Sequence, residues 1–215
     1  SNIFVKKILI IIFTFLLITG CTTNYSWGWY VLNPKLENGY TNIIFLISGL
    51  YITLSISLLS IIISLIIGLL ISLIGFSKYK IFQLLNRFYI ELFRSIPLLV
   101  LLLWVYYGLP IVFGISFNPF VAGIISLAFS DSAFEAEVFR AGIQSINKGQ
   151  KDAAKSIGLN KYQSMRLIII PQAFRIILPA IGNQFVYVVK MSSLVSIIGL
   201  ADLTRKANEL VVSVY

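Results

Sequence analysis

Long apolar runs, separated by short polar and basic stretches, dominate the pattern of this chain. Several runs reach the roughly 20 residues that an α-helix needs to cross a hydrocarbon core about 30 Å thick. The pattern predicts three helices over about 42–75, 97–113 and 119–146, and a fourth apolar segment over about 167–200. The chain is therefore expected to be built on membrane-spanning helices.

The fourth segment contains Pro171 and Pro179. Proline removes one helix hydrogen bond and clashes with the preceding turn. We therefore expect a kink or a break in this segment.

Two polar stretches between the apolar runs have helical patterns of their own. Residues 79–93 have the pattern of an amphipathic helix, which lies either in the cytoplasm or at the membrane interface. A short helix opens at Gly149, and Gly158 ends it at the position after the C-cap. Asn160 and Gln163 form a capping pair for a second short helix that leads back to the membrane.

Small residues recur along one face of the first apolar helix, and two interpretations fit them. One is close helix packing, because small side chains let two backbones approach. The other is the lining of a pore. Packing is the interpretation that we favour for this row, which consists of Thr53, Ser57, Ser60, Ser64 and Gly68.

Composition narrows the class of protein. Hydrophobic residues make up 58% and charged residues 12% of the chain, and the mean hydropathy is +0.92, far above a soluble domain. This predicts an all-α polytopic membrane protein. The chain has one cysteine, Cys21, and no histidine, which argues against multi-cysteine metal sites and histidine-based catalysis. We therefore expect no enzyme activity.

The net charge of the chain is +9. The basic residues lie where they would set the topology of a membrane protein, which argues against nucleic-acid binding. Basic residues concentrate in 76–94 and 140–166, whereas the stretches between them are nearly neutral. By the positive-inside rule the two basic stretches are cytoplasmic. Residues 22–42, 114–119 and 201–210 are then expected outside.

The N-terminal segment, residues 1–21, joins a basic pair to an apolar run and ends in a lipoprotein-like box at Cys21. It predicts either an uncleaved membrane anchor or a signal-like segment that is cleaved, with or without lipidation. Residues 22–42 carry aromatic residues typical of an external interfacial segment. Residues 43–215 form the expected transmembrane core.

Polar groups within the apolar helices mark a candidate translocation path, because ionisable groups at membrane depth are costly. Asp131 and Glu135 share one helix face, and Asn183, Tyr187 and Lys190 share another. A buried ammonium needs an anionic partner. We therefore predict that Lys190 contacts Glu135 or Asp131; the alternative is that it meets a substrate carboxylate.

The stretch from Phe134 to Leu210 resembles the permease subunits of ATP-binding cassette (ABC) importers, in particular the polar amino acid uptake family. Asp152-Ala153-Ala154 stands where that superfamily's EAA loop has Glu-Ala-Ala. Further stretches that carry the resemblance are ELFRSIPLL from Glu91, EAEVFRAGIQSI from Glu135, Gly158, Ile170-Pro171, PAIGNQ from Pro179 and KMSSLVSIIGLADL from Lys190.

The resemblance implies a type I importer permease in the bacterial inner membrane, with one further helix after residue 215. It implies partners: an ATPase subunit that uses ATP and Mg, a second permease subunit, an external amino-acid-binding protein, membrane lipid and an amino acid substrate. It implies no cofactor on this chain. The ATPase-coupling residues would be Gly149, Gln150, Asp152, Ala153, Ala154, Gly158 and Pro171.

Two other classes compete with this interpretation. An ion-gradient-driven secondary amino acid transporter would also use interrupted helices and intramembrane carboxylates, but it would leave the loop at Asp152 without a purpose. A membrane enzyme would need a nucleophile–base grouping, which the pattern does not provide. The chain has no GxxxxGK[ST] loop, so ATP hydrolysis would come from a partner.

Overall fold

The computed structural model describes residues 28–36 and 38–214. Within these residues it consists of helices and their connections. They fall into two units, one ending at residue 43 and a larger one of residues 44–213. The predictions for residues 1–21, including cleavage or lipidation at Cys21, lie outside the described residues.

The first unit holds a 3₁₀ turn, Gly28–Leu32. The Asn42 side-chain amide donates to the Val31 carbonyl at 2.9 Å, which ties the start of the following helix to this turn. Trp29, Tyr30 and Tyr40 are exposed. Amphipathic aromatic rings in this arrangement are typical of an interfacial segment.

Seven helices follow in the described part of the chain; the first six agree with the sequence pattern to within a few residues, and the seventh was not predicted. They are α1 (Gly39–Gly75), α2 (Lys80–Ser95), α3 (Leu98–Phe113), α4 (Pro119–Gln144), α5 (Lys148–Ser156), α6 (Lys161–Ile198) and α7 (Leu203–Val214).

Two of these helices, α1 and α6, are long and apolar enough to cross a membrane. The α2–α3 pair bends by 97° at its break and would count as a third span if taken as one. α1 has 37 residues and is about 55 Å long at 1.5 Å per residue, more than one perpendicular crossing needs. These helices confirm the predicted membrane class.

The helix α4 is the centre of the packing in the second unit, because α2, α3 and α6 all pack against it. A core cluster joins Ile56 of α1, Leu102 of α3, Leu127 of α4 and Val195 of α6. A second cluster links the end of α4 to α6. The residues of α4 therefore touch most other elements of this unit.

The small-residue face of α1 packs against α4, as predicted. A Cβ added to Gly68 would lie 2.7 Å from the Glu135 Cβ and 3.0 Å from the Ala136 backbone nitrogen, so the two backbones are in close approach. The other four members of the row are buried: Thr53, Ser57, Ser60 and Ser64.

Of the predicted kink or break, the break is absent, since α6 runs through both prolines as one helix. Its hydrogen bonds widen into a π turn at Met165–Ile169, directly before Pro171, and Pro179 lies within the α-helical part. This wide turn accommodates Pro171, because a proline ring clashes with the carbonyl oxygen of the preceding helical turn. The final stretch, Ser192–Ile198, narrows to a 3₁₀ helix.

Candidate functional site

The helix α5 is held at both ends by local hydrogen bonds. At its start, the Gly149 backbone N–H donates to the Asn147 side-chain oxygen at 2.8 Å. At its end, the Gly158 N–H donates to Lys155 O (2.9 Å) and the Leu159 N–H to Ala154 O (3.1 Å). This is the Schellman pattern, and Gly158 has the positive φ, 81°, that it requires. The predicted end of the helix is confirmed.

The start of α6 is also capped as predicted. The Gln163 N–H donates to Asn160 Oδ1 at 2.9 Å, and the Asn160 N–H donates to Gln163 Oε1 at 3.0 Å. These two bonds form a complete capping box. α5 and the start of α6 are therefore two defined helices with a fixed turn between them.

The outward side of α5 differs from the predicted docking surface in one residue. Asp152 and Ala153 are exposed, whereas Ala154 is fully buried. The prediction that both alanines form a contact surface is wrong for Ala154. Successive helix positions lie about 100° apart, so Ala154 faces the rest of the chain while Ala153 faces outward. Asp152 stays largely free, since its pairing with Lys155 is long, 3.8 Å, and exposed.

Contacts join α5 to α6. The Gln172 side-chain amide donates to Gln150 Oε1 at 3.3 Å, one position after Pro171. α5 also packs on the π turn of α6. These contacts connect α5 to the membrane helix α6.

Large apolar side chains on the same segment are exposed. Ile157 is 72% and Tyr162 70% exposed, beside lysines at 151, 155 and 161. The structure thus presents the segment from α5 to the start of α6 outward.

A buried polar cluster lies where α1, α4 and α6 meet. Asp131 is 2% exposed. The Ser64 hydroxyl donates to its Oδ2 at 2.6 Å, and the Gln184 side-chain amide donates to its Oδ1 at 2.5 Å. Two neutral donors thus satisfy this carboxylate across three helices.

Glu135, one turn further along α4, is fully buried, and neither of its side-chain oxygens has a hydrogen-bond partner among the described residues. It lies against Gly68 of α1. Nearby, Tyr89 and Ser132 share a hydrogen bond of 2.7 Å that ties α2 to α4. The acidic face of α4 is thus enclosed by the chain's own helices.

The predicted contact between Lys190 and this acidic face is wrong. Lys190 is exposed, and no ion pair joins it to Glu135 or Asp131 among the described residues. Asn183 and Tyr187 are exposed beside it. The five predicted path residues therefore separate into a buried pair on α4 and an exposed row on α6.

The residue that reaches Asp131 from α6 is Gln184, which the sequence reasoning missed. The buried or half-buried positions of α6 follow Ala173, Ile177, Ile181, Gln184 and Val188, a helical stripe. The sequence signal for this contact was a helical stripe of apolar residues that contains one amide side chain, Gln184. The row at 183, 187 and 190 is rotated away from that stripe and faces outward.

A bundle of apolar helices with an exposed, capped helix at one end and a buried polar cluster is compatible with a membrane permease. The chain belongs to the family of binding-protein-dependent transport system inner membrane components, whose model matches residues 64–211.

Curated relatives and a solved structure agree with this family. The arginine transport system permease protein ArtQ of Bacillus subtilis (strain 168) is 39% identical over 178 residues, 83% of this chain and 81% of its own. A Rickettsia prowazekii (strain Madrid E) protein, whose name describes a glutamine transport system permease, GlnP, is 38% identical over 176 residues, 82% and 81% of the two chains. A chain from a structure entitled "Crystal structure of an amino acid ABC transporter with histidines" superposes with a TM-score of 0.75 at 44% identity, covering 80% of this chain and 79% of that one.

The family decides between the competing classes. The chain is an inner-membrane permease subunit of an ABC transport system, and ATP hydrolysis belongs to a separate subunit. The transport system includes a binding protein, as the family's description states. The ion-driven and enzymatic alternatives are set aside.

Proposed function

We propose that this chain forms the translocation path of an ATP-driven amino acid importer and couples that path to its ATPase through α5. The observation that supports the coupling role most strongly is the exposure of a doubly capped helix. α5 presents Asp152 and Ala153 outward, and its Gln150 accepts a hydrogen bond from the Gln172 side chain of α6. An ATPase that moves α5 would thereby move α6.

In this proposal the coupling residues have two kinds of role. Gly149, Gln150, Asp152 and Ala153 are exposed and meet the ATPase. The remaining three hold the shape of the element, Ala154 by packing beneath α5, Gly158 by its positive φ and Pro171 by the π turn before it. ATP and Mg are bound by the partner.

We place the path on the exposed row of α6, formed by Asn183, Tyr187 and Lys190. Polar side chains on an apolar helix avoid lipid and face either a cavity or another subunit. A second permease subunit, identical or related, would cover this row, and Lys190 would meet a substrate carboxylate. Asp131 and Glu135 are enclosed within one subunit. In this proposal neither lines the path, and Asp131 holds α1, α4 and α6 together through Ser64 and Gln184.

The cargo class follows from the relatives, whose names specify arginine and glutamine transport. A soluble amino-acid-binding protein would deliver the cargo from outside. Uptake of a panel of labelled amino acids into proteoliposomes, containing the whole transporter with its ATPase and binding protein, tests the function. We expect uptake that requires ATP and not an ion gradient.

The coupling role is tested in the same system by Ala153→Trp. A bulky ring on the outward side of α5 should abolish ATP-driven uptake and co-purification of the ATPase. Thr204→Trp adds the same ring at an exposed position of α7 and should preserve both. If Ala153→Trp retained the ATPase and uptake, α5 would not be the contact.

A further inference from the structure

The helix α2 is amphipathic with its polar side toward the rest of the chain and its apolar side outward. Its outward residues are 38–63% exposed: Ile81, Phe82, Leu84, Leu85, Phe88 and Leu92. Its polar residues line a cavity on the opposite side: Gln83, Asn86, Arg87, Glu91 and Arg94. The apolar side of α2 is therefore available to the acyl chains of lipids, while its polar side faces the cavity.

The cavity has a volume of about 500 Å³. The end of α1 at Gly75 and the last turns of α4, with Glu137, Arg140 and Gln144, complete its walls. Three arginines and two glutamates therefore surround one opening. By the charge pattern of the chain it lies at the cytoplasmic side of the membrane.

Most of the polar groups in these walls already have partners. Glu137 and Arg140 form an ion pair of 2.6 Å, and Gln144 accepts from Arg140. Gln83 and Asn86 donate to carbonyls near the end of α1. The wall on α4 is thus neutral and satisfied.

Three charged groups of α2 remain for a ligand. Arg87 and Glu91 make no ion pair within 4 Å among the described residues. The guanidinium carbon of Arg94 lies 5.2 Å from the centre of the Phe134 ring. Its charge has no acidic partner among the described residues, and its N–H groups can donate hydrogen bonds. These three groups carry two positive charges and one negative charge.

We propose that this cavity binds the phosphate of an anionic phospholipid of the inner leaflet, with Arg87 and Arg94 as its donors. Guanidinium groups match phosphate oxygens in geometry and charge, and basic pockets between membrane helices on the cytoplasmic side bind acidic headgroups. The exposed apolar side of the same helix accommodates the acyl chains, which makes a lipid rather than a free anion the occupant.

Glu91 gives the proposal a signed consequence. Its carboxylate repels the negative charge of the lipid phosphate, so Glu91→Gln should strengthen binding of an anionic lipid. Binding of a lipid with an ethanolamine headgroup, whose ammonium would pair with Glu91, should instead become weaker in Glu91→Gln. The sign of this effect therefore identifies the headgroup.

The test is a lipid titration of the purified transporter, followed by native mass spectrometry, with phosphatidylglycerol and phosphatidylcholine of identical acyl chains. We expect preferential binding of phosphatidylglycerol. Arg87→Gln should lower its affinity roughly fivefold, the effect of one basic residue near a membrane surface. Lys78→Gln removes a neighbouring exposed lysine outside the cavity and should change the affinity little.

Several outcomes would overturn the proposal. These are equal binding of the two lipids, an equal loss in Lys78→Gln and Arg87→Gln, or a loss in Glu91→Gln. Displacement of the lipid by excess inorganic phosphate or by free amino acid would point to a different ligand. Arg87→Lys, which keeps the charge at an exposed position, should retain most of the preference. Because the readout is binding, its failure leaves the transport proposal untouched.

Discussion

Asp131 is a carboxylate at membrane depth whose two oxygens accept from neutral donors, Ser64 and Gln184. The sequence had suggested that a buried acid and Lys190 would pair. The physical reason for the difference is rotation about α6: the amide at 184 lies on the buried stripe, and the lysine at 190 lies off it. Hydrogen bonds to a charged group can satisfy it without a countercharge.

Asp131→Ala should destabilise the protein by about 2–4 kcal/mol, because it removes two hydrogen bonds across helices and leaves the half-buried Gln184 amide without its acceptor. The measurement is thermal or denaturant unfolding of the purified transporter in detergent. Ser126→Ala is the matched control, since that buried hydroxyl bonds only to its own helix at the Ala122 carbonyl. It should cost less than about 1 kcal/mol. Equal costs would mean that the cluster does not hold the three helices.

At the scale of elements, the contact between α1 and α4 depends on the absence of a side chain at Gly68. A Cβ there would lie 3.0 Å from both the Ala136 nitrogen and the Ser132 carbonyl oxygen. These are backbone atoms, so a neighbouring rotamer change cannot relieve the contact. One helix would have to move away from the other.

Gly68→Ala should therefore destabilise the protein by about 1–3 kcal/mol through overpacking. Gly182→Ala is its counterpart on α6, where an added Cβ meets nothing within 4 Å. This change should leave the stability unchanged or raise it by up to about 1 kcal/mol, because alanine favours the helix. Unfolding of both variants in detergent compares them, and a similar loss in each would argue against close packing at Gly68.

Element boundaries were the part of the fold that the sequence predicted best. The end of α5 at Gly158 and the capping box at Asn160 and Gln163 were both predicted, because each depends on residues within one turn. The burial of Ala154 was not. Which alanine of the pair faces outward depends on how α5 packs on α6, and the Asp-Ala-Ala spacing alone carries no such information.

At the scale of the whole molecule, the basic stretches predict that α5 and the α3–α4 connection lie on opposite sides of the membrane. Single cysteines test this in a Cys21→Ser background, since Cys21 is the chain's one native cysteine. Ser156→Cys in α5 and Ser116→Cys in the connection both put a thiol at an exposed position.

A membrane-impermeant maleimide applied to intact cells, with the outer membrane opened where the host has one, should label Ser116→Cys and leave Ser156→Cys unlabelled. Disruption of the inner membrane should then make Ser156→Cys reactive. Labelling of Ser156→Cys from outside would place α5 away from any cytoplasmic ATPase and would contradict the coupling role.

The sequence by itself determined the membrane class, the helix bounds, the caps around α5 and the transporter family, because hydropathy, turn chemistry and motif spacing are local properties of the chain. Only the tertiary structure decided that Gln184 rather than Lys190 reaches Asp131, that Ala154 is buried, and that the polar side of α2 encloses a cavity. These depend on how neighbouring helices are rotated against each other, which is set by the fit of many side chains at once. No single stretch of sequence contains that fit.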